Sequence, residues 1–380
     1  MASPHMSAVQ YGGTHPYNPP DWAKDLKLVP KNYVKLSMSP TPIHKWSPPG
    51  VPDGFEVGIK REDLSGCTLS GNKVRKLEFL FADALEQGCD MVITFGGFDS
   101  NHARATAMAA REVGLEPYVF ILDFDNSVRE PKDVSCQGNA LLMRLVGTHF
   151  IVYPLRDDMS FDDQIDEIHG QMEKFAKKKR SEGHKVYTIP KGGSNTLGAW
   201  AWMDVFSEMM GQGLHDNFDD IFVAGGSVGT ACGLAIANYL TGSKLKIHCV
   251  SLYWTDPAGL YAHLKECLRD MGLTGRVRPE ELVNPVMDYI GLGLSQSTDA
   301  ELDAIVEVMS STGIVMDPMF TVKSYLGMVG EMSKNPSVFK GRRVLYIHTG
   351  GVYILFGRMD TIVQRRPECN RMTLSSDLCP

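Results

Sequence analysis

Residues 221–234 read IFVAGGSVGTACGL, which joins an apolar run of strand length, a glycine-rich loop and the first turns of a helix. An apolar run that ends in glycine is typical of a strand buried in a parallel sheet. Such sheets bind ligands at the carboxyl ends of their strands, in the loop that starts the next helix. Glycines let backbone amides approach an anion, and nearby hydroxyl groups add donors. We therefore predict an α/β fold with a phosphate cradle formed by Gly226, Ser227, Val228, Gly229 and Thr230.

Two other interpretations of this loop stay open. The loop lacks the G-K-[ST] ending that binds nucleoside triphosphates, and it does not match G-x-G-x-x-G. A looser dinucleotide-binding loop would still look like this, and so would a loop that serves packing alone. The loop by itself therefore predicts an anion site without identifying the anion.

The alternation of strand and helix continues on both sides of this stretch. The predicted strands are residues 91–95, 117–122, 150–153, 186–189, 220–224, 246–252 and 343–348. The predicted helices are residues 73–87, 101–113, 162–182, 197–210, 230–241 and 299–312. Strands that alternate with helices indicate parallel sheets covered on both faces. The first 50 residues, rich in proline, tyrosine and tryptophan, predict an arm that wraps around other parts of the structure.

Length, charge and cysteine usage narrow the class of protein. The 380 residues leave room for two lobes of ordinary domain size, and the net charge of −7 argues against a nucleic-acid surface. No stretch approaches the roughly 20 apolar residues of a membrane-spanning helix, and we see no signal peptide. The eight cysteines form no C-x-x-C pair, so zinc lacks its usual ligand spacing. We expect a cytoplasmic protein without metal, nucleic-acid partner or membrane association.

A second motif, LSGNKVRKLE at residues 69–78, puts Lys73 at the expected start of a helix. An amine becomes a nucleophile only after it loses its proton, and burial or nearby positive charge lowers the pKa of a lysine. A helix N-terminus also disfavours a protonated amine and favours an anion. Lys76 lies one turn later on the same side, where it can meet a phosphate. The same residues would also make an ordinary basic first turn of a surface helix.

A third motif, TFGGFDSNHARAT at residues 94–106, passes from a strand through a Gly-Gly turn into a helix. Backbone amides and the hydroxyl of Ser100, next to Asn101, can form a cradle for a carboxylate. Serine and asparagine also cap helices without any further role. His102 is either an acid–base group or a structural histidine. Late in the chain, Thr321 or Thr349 can hydrogen-bond a pyridine nitrogen.

Together these motifs suit one ligand, pyridoxal phosphate with an amino acid attached. They resemble the D-cysteine desulfhydrase and 1-aminocyclopropane-1-carboxylate deaminase group of fold-type-II pyridoxal-phosphate enzymes. The matching segments are residues 60–63, 71–78, 100–102, 192–194, 226–230, 317–318 and 348–351. The resemblance implies two open, twisted, mostly parallel sheets covered by helices, as in the tryptophan synthase β-like fold. It also implies a large cofactor-binding domain (residues 1–75 and 191–380), a small domain (residues 76–190) and a homodimer.

The resemblance further implies roles for individual residues. Lys73 would hold the cofactor as a Schiff base and act as the base on the α-carbon. Ser100 would bind the substrate carboxylate or assist proton transfer, and Asn101 would contact the 3′-oxygen of the cofactor. Lys76 and residues 226–230 would hold the phosphate, and Thr321 would face the ring nitrogen. The substrate pocket would include Ser100, Asn101, His102, Tyr289 and Phe320.

The substrate half of the site departs from the family pattern. Phe320 stands where the family usually has a tyrosine, and a second family tyrosine falls near Leu294, with Tyr289 as a nearby substitute. We expect a lyase that eliminates a β-substituent from a small amino acid and converts D-cysteine to pyruvate, ammonia and hydrogen sulfide. The alternatives are the same chemistry on cysteate, another β-substituted alanine or 1-aminocyclopropane-1-carboxylate, a racemase, and a cofactor-binding protein without turnover.

Overall fold

The computed structural model describes residues 13–124, 128–293 and 296–365. The strands of this part of the chain are β1 (Thr14–Pro16), β2 (Asn32–Val34), β3 (Ile43–Trp46), β4 (Glu56–Arg61), β5 (Met91–Gly97), β6 (Glu116–Asp123), β7 (His149–Pro154), β8 (Val186–Thr188), β9 (Asp220–Gly225), β10 (Lys246–Ser251), β11 (Asn284–Val286) and β12 (Arg343–His348). The helices are α1 (Asn72–Glu86), α2 (Asn101–Glu112), α3 (Gly138–Leu145), α4 (Phe161–Ser181), α5 (Thr196–Gly211), α6 (Leu214–Asn217), α7 (Gly229–Leu240), α8 (Ala258–Asp270), α9 (Pro279–Leu282), α10 (Asp299–Thr312), α11 (Thr321–Lys334), α12 (Val352–Leu355) and α13 (Met359–Val363).

Two open sheets carry the fold. A six-stranded sheet has the order β11-β10-β9-β12-β4-β3, and its pairs are parallel except β3 with β4. A four-stranded sheet has the order β7-β6-β5-β8, and all its pairs are parallel. These sheets confirm the predicted α/β fold class. The predicted division at residues 75 and 191 stays a prediction, although each of the two sheets takes its strands from one side of it.

The predicted N-terminal arm packs on its own chain. β1 and β2 form a short antiparallel ribbon, and the ring of Tyr17 lies edge-on against Phe79 and Trp200. The Tyr17 hydroxyl donates to Asp204, 2.9 Å away. Trp200 Nε1 also donates to the carbonyl oxygen of Leu28 at 2.7 Å. The arm therefore stabilises the outer face of α5 by aromatic contacts and hydrogen bonds.

The main core lies where α5 and α7 cross beneath the six-stranded sheet. Both helices are apolar around most of their circumference, as expected for helices buried on all sides. At Gly233 of α7, a Cβ atom would press into the carbonyl oxygen of Ala199 and lie 2.6 Å from Trp202 Cβ. Only glycine allows the two backbones to approach so closely, and this contact fixes the position of the N-terminus of α7.

The carboxyl ends of the two sheets point toward a common cleft. β9 ends at Gly225 and leads into the loop before α7, and β5 ends at Gly97 just before α2. The start of α1 is fixed by Gly71, which has a φ of 105° and whose Cβ would lie 2.8 Å from the carbonyl oxygen of Thr349. The sequence motifs thus converge on the cleft because parallel strands present their carboxyl ends on one edge.

Candidate active site

A cavity of about 560 Å³ lies between the carboxyl ends of the two sheets. Most of the predicted site residues line it: Lys73, Ser100, Asn101, His102, Gly226, Ser227, Val228, Thr230 and Phe320. Its size falls in the range of pockets that enclose a cofactor or a small substrate. The structure therefore brings together residues that are up to 247 positions apart in the sequence, from Lys73 to Phe320.

Lys73 projects from the first turn of α1 into this cavity. Its Nζ donates to the Ser227 hydroxyl at 3.2 Å and to the carbonyl oxygen of Gly192 at 3.4 Å. Among the described residues it forms no ion pair with a carboxylate. Loss of water on burial, and then the positive charge of Lys191, lower the pKa of Lys73 from 10.5 to about 8. A useful fraction of this amine is therefore neutral near physiological pH and able to act as a nucleophile.

The loop before α7 forms an anion cradle. Val228 adopts a left-handed φ of 53°, which is unfavourable for a β-branched residue, and in this tight turn the Gly229 amide donates to the Ser227 carbonyl oxygen at 2.7 Å. Behind the loop, Lys76 Nζ donates to Ser194 Oγ at 3.1 Å, and Ser194 Oγ donates to Ser227 Oγ at 2.9 Å. A Cβ on Gly229 would lie 2.6 Å from Ser194 Oγ, so glycine keeps the helix N-terminus open. The cradle combines a helix N-terminus, hydroxyl groups and a buried cation.

Lys76 lies behind the loop rather than on the cavity wall. It is 1% exposed and forms no ion pair within the described ranges. Burial, followed by the charge of Lys73, lowers its pKa well below the ordinary lysine value. A buried ammonium without a carboxylate is costly unless an anion compensates it, which is what a bound phosphate would provide.

A second cradle forms at the start of α2. Ser100 caps the helix, and its Oγ accepts a hydrogen bond from the Ala103 amide at 3.1 Å. Asn101 Oδ1 accepts a hydrogen bond from Asn139 Nδ2 at 3.0 Å, which fixes its side chain. The positive end of the helix dipole here favours a carboxylate, as the sequence predicts.

His102 lies in the cavity wall as a neutral imidazole. Its Nε2 is 2.9 Å from Thr94 Oγ1, and that hydroxyl donates to the carbonyl oxygen of Ile189 at 3.0 Å. Thr94 must therefore accept the Nε2 proton, which leaves the buried Nδ1 as a bare acceptor without a partner among the described residues. Burial and the charges of Lys73 and Lys76 hold the pKa of His102 well below its usual value. His102 can accept a hydrogen bond here, but it carries no proton to donate from Nδ1.

Lys76 and Gly229 belong to the anion cradle without lining the cavity, and two further predicted site residues, Thr321 and Tyr289, lie elsewhere. Thr321 is fully buried, and its hydroxyl donates to Asp317 Oδ2 at 2.7 Å, so it does not reach the cavity. Thr349, the other hydroxyl considered for the ring nitrogen, lines the cavity instead. Tyr289 packs against Gly330, and its hydroxyl donates to Glu331, away from the cavity. Leu294 lies outside the described residues.

Several residues of the wall were not among the predicted site residues. Asn72 Nδ2 donates to the Thr230 hydroxyl at 3.0 Å and so ties α1 to the anion cradle. It stands beside Lys73 in the Gly-Asn-Lys motif, which was a usable signal. Lys191, Phe161 and Tyr253 also line the wall. Of these, only Lys191 had a sequence signal, because it directly precedes the Gly-Gly-Ser segment at 192–194.

The residues present fit pyridoxal phosphate. Lys73 offers a deprotonatable amine, residues 226–230 and Lys76 offer a cationic cradle, and Thr349 offers a hydroxyl on the same wall. Within the described ranges, no group of three or more His, Cys, Asp or Glu side chains has the arrangement of a metal site. No described helix combines the length and apolar character that a membrane span requires.

Comparisons with known proteins agree with this geometry. The family model described as "Pyridoxal-phosphate dependent enzyme" matches residues 34–350. The chain is 37% identical over 369 residues to the bifunctional D-cysteine desulfhydrase/1-aminocyclopropane-1-carboxylate deaminase, mitochondrial, of Arabidopsis thaliana, covering 96% of this chain and 89% of that protein. The crystal structure of an ACC deaminase homologue has a TM-score of 0.74 and 30% identity, covering 87% of this chain and 95% of the other.

A more distant solved structure shares the fold alone. The processed form of threonine deaminase isoform 2 from Solanum lycopersicum has a TM-score of 0.54 at 16% identity, covering 82% of this chain and 84% of that one. The arrangement of two sheets around a central cleft is therefore preserved well beyond the range in which the sequences are similar.

Proposed function

The chain belongs to the family of pyridoxal-phosphate dependent enzymes, and from this we propose that it eliminates a β-substituent from a small amino acid, with D-cysteine as substrate. The products would be pyruvate, ammonia and hydrogen sulfide. One observation carries the proposal: the Lys73 amine shares one cavity with the Ser100 helix cap and with the anion cradle of residues 226–230. The name of the Arabidopsis relative supports the choice of substrate.

Each part of the cofactor would have its own contacts. Lys73 would bind it covalently, residues 226–230 with Lys76 would hold its phosphate, and Asn101 would contact its 3′-oxygen. The bound cofactor supplies an electron sink for the charge that develops on the α-carbon. Thr349, which lines the cavity, would take the role predicted for Thr321 as the hydroxyl partner of the ring nitrogen. A neutral hydroxyl in that role would leave the nitrogen largely unprotonated, which would suit an elimination in which the leaving group carries charge away.

The chain's own residues would position the substrate and move its proton. The hydroxyl of Ser100 and the N-terminus of α2 would bind the substrate carboxylate, because both favour an anion. Lys73 would take the proton from the α-carbon, and Ser227 and the Gly192 carbonyl oxygen hold its Nζ in place. The β-substituent would leave with the electron pair of its bond to the β-carbon. The overall reaction then balances, because D-cysteine and one water molecule give pyruvate, ammonia and hydrogen sulfide.

Opening of 1-aminocyclopropane-1-carboxylate is a second candidate, because the name of the Arabidopsis relative includes that activity. The ring has no leaving group to carry charge away. Phe320, which lines the cavity, offers no hydroxyl to assist in its place. We therefore place β-elimination ahead of ring opening.

Product analysis tests the proposed function. Purified protein loaded with the cofactor is incubated separately with D-cysteine, L-cysteine, β-chloro-D-alanine and 1-aminocyclopropane-1-carboxylate, and sulfide, pyruvate and 2-oxobutanoate are measured. We expect sulfide and pyruvate from D-cysteine and no products from the Lys73→Ala variant. Absence of sulfide at high enzyme concentration would contradict D-cysteine as substrate. Turnover by Lys73→Ala equal to that of the native protein would contradict the role of Lys73.

We also propose a cytoplasmic homodimer. Family likeness supports the dimer, and so do exposed apolar side chains on one face of α3, where Leu141 is 38% and Leu145 75% exposed. The free cysteines of the described residues fit a reducing compartment. Sedimentation equilibrium should give twice the chain mass, and Leu145→Asp should shift the protein toward the monomer. A native monomer at micromolar concentration would contradict the dimer.

A further inference from the structure

A second lysine, Lys191, lines the cavity beside Lys73. It directly precedes Gly192, whose carbonyl oxygen accepts a hydrogen bond from Lys73 Nζ. Lys191 Nζ donates to the Tyr253 hydroxyl at 3.1 Å and lies 4.5 Å from the centre of the Tyr253 ring. It also lies 5.1 Å from the centre of the Phe161 ring. The ammonium group is thus clamped between two aromatic side chains, one from the start of α4 and one from the loop after β10.

The carboxylates of the cavity wall are already engaged by other donors. Asp99 pairs with Arg358 at 3.3 Å. Asp123 accepts the backbone amide of Val128 at 2.8 Å, and Asp133 accepts the amides of residues 129 and 130. None of them forms an ion pair with Lys191, and no other described residue does. Among the described residues, the partners of Lys191 Nζ are therefore a neutral hydroxyl and two aromatic rings.

Such a clamp holds the amino group of Lys191 without supplying a counter-ion from the described residues. Aromatic rings and a phenol hydroxyl stabilise an ammonium group less than the full negative charge of an anion at the same distance would. The rings also hold the long side chain in one position, so less entropy is lost when an anion binds. Lys191 is therefore prepared to receive a negatively charged group of a ligand.

The anion received by Lys191 is distinct from the two anions already considered. The side chains before and after the short turn at Lys191–Gly193 contact different helices. Lys191 contacts Phe161 of α4, whereas Ser194 contacts Ser227 and Gly229 at the start of α7. The phosphate cradle thus has its own cation in Lys76, which bonds to Ser194. The carboxylate cradle lies at the start of α2, with Ser100. The part of the ligand that remains as a binding partner for Lys191 is therefore the side chain of the substrate.

We propose that Lys191, held by Phe161 and Tyr253, binds a negatively charged group on the β-carbon of the substrate. The substrate class is then that of 2-amino acids with an anionic β-substituent, such as a sulfonate or a thiolate. This inference rests on the proposed elimination. When the bond between the β-carbon and its substituent breaks, the substituent takes both electrons of that bond while Lys73 takes the α-proton. A sulfonate leaves in this way as sulfite, and a thiolate leaves as hydrosulfide because its sulfur takes a proton from the Lys191 ammonium. Lys191 therefore also stabilises the charge that develops on the leaving group, which makes it a specificity-determining residue.

Ligand binding without turnover gives the first test. The probes are 3-sulfopropanoate, which carries a carboxylate and a sulfonate but no amine, and pentanoate, which carries only the carboxylate. Calorimetric titration of the cofactor-loaded native protein should show at least about tenfold tighter binding of 3-sulfopropanoate, the smallest gain expected for a close charge pair. Lys191→Met should remove this preference, and Lys191→Arg should restore part of it. Lys185→Met, an exposed lysine of the same segment, should leave it unchanged.

Equal affinity of the native protein for the two probes would overturn the proposal, and so would a preference that survives in Lys191→Met. A loss of cofactor affinity in Lys191→Met comparable to its loss of probe affinity would also overturn it, because Lys191 would then serve the phosphate.

Kinetics separate this inference from the proposed function. In Lys191→Met, the KM for cysteate should rise by at least about tenfold, while the KM for β-chloroalanine, whose substituent is neutral, should change little. If the native protein eliminates neither substituent, the proposed elimination fails, while the binding test still decides whether Lys191 is an anion site. Equal changes in both KM values would show that Lys191 does not distinguish the two substituents.

Discussion

The chemistry of the cavity depends first on single residues and on what surrounds them. Lys73 and Lys76 are one helical turn apart and both are desolvated, but their surroundings separate their roles. Lys73 Nζ faces the cavity and contacts a hydroxyl that can rotate, whereas Lys76 Nζ is enclosed behind the loop by Ser194 and Gly192. Only Lys73 can reach a ligand covalently, and Lys76 contributes charge from behind.

The lowered pKa of Lys73 predicts how fast the apoprotein captures its cofactor. Only the neutral amine attacks, and a pKa of about 8 makes about one tenth of it neutral at pH 7 and half at pH 8. The rate constant for cofactor capture should therefore rise about tenfold per pH unit below pH 8 and level off above it. Stopped-flow absorbance between pH 6 and 10 measures this. A rate that still rises steeply to pH 10 would contradict a lowered pKa.

Two threonines that looked equivalent in the sequence should respond differently to the same substitution. Thr321→Val removes a donor to the fully buried Asp317, so the free energy of unfolding of the apoprotein should fall by about 1–3 kcal/mol. Thr349→Val alters a cavity wall instead and should weaken cofactor binding by about tenfold or less, with little change in stability. Urea unfolding and cofactor titration of both variants check this, and the reverse pattern would restore Thr321 as the residue facing the cofactor.

At the scale of elements, the anion cradle depends on how α7 is held against α5. The loop of residues 226–230 belongs to the start of α7, and Gly233 one turn later touches the backbone of α5. A shift of α7 would move the loop, Ser227 and therefore the group that orients Lys73 Nζ. The close helix pair is thus a structural condition for the site, although it lies outside the cavity.

Alanine at Gly233 should disturb both stability and the cradle. The new methyl group would meet the Ala199 carbonyl oxygen and Trp202 Cβ, and such overpacking typically costs about 1–3 kcal/mol or more. Gly259→Ala in α8 is the matched control, because a Cβ there meets nothing within 4 Å and alanine favours a helix. Thermal unfolding should show a lower midpoint for Gly233→Ala only. Unchanged stability of Gly233→Ala would contradict the close packing of α5 and α7.

The predicted elements agree with the structure where apolar periodicity is strong. The strand at Arg343–His348 and the helix at Asp299–Thr312 have the predicted bounds. The strand at Glu56–Arg61 was not predicted because Gly58 and Lys60 interrupt its apolar pattern. Lys60 is nevertheless buried, since Glu208 and the Thr41 carbonyl oxygen satisfy its ammonium group. Glu208 lies 148 residues from Lys60 in the sequence, so a local sequence pattern cannot reveal this ion pair.

At the scale of the whole molecule, the site exists only where the two sheets meet. The motifs of residues 71–78, 100–102 and 226–230 were recognisable because each joins a strand or loop to a helix start, and such junctions gather at one edge. Phe161 and Tyr253 had no comparable signal, because they reach the cavity only through the packing of α4 and the loop after β10. Local motifs therefore predicted that Lys73, Ser100 and the loop of residues 226–230 would meet in one cavity, whereas the burial of Thr321 and the approach of Phe161 and Tyr253 depend on tertiary packing.

The identity of the lysine that holds the cofactor tests the central claim most directly. Reduction of the cofactor-loaded protein with borohydride, followed by digestion and mass spectrometry, locates the covalent bond. We predict bleaching of the yellow protein and a single adduct on Lys73, retained in Lys191→Met and absent in Lys73→Ala. An adduct on Lys76, Lys191 or another lysine, or no adduct on protein loaded with the cofactor, would contradict the assignment of Lys73.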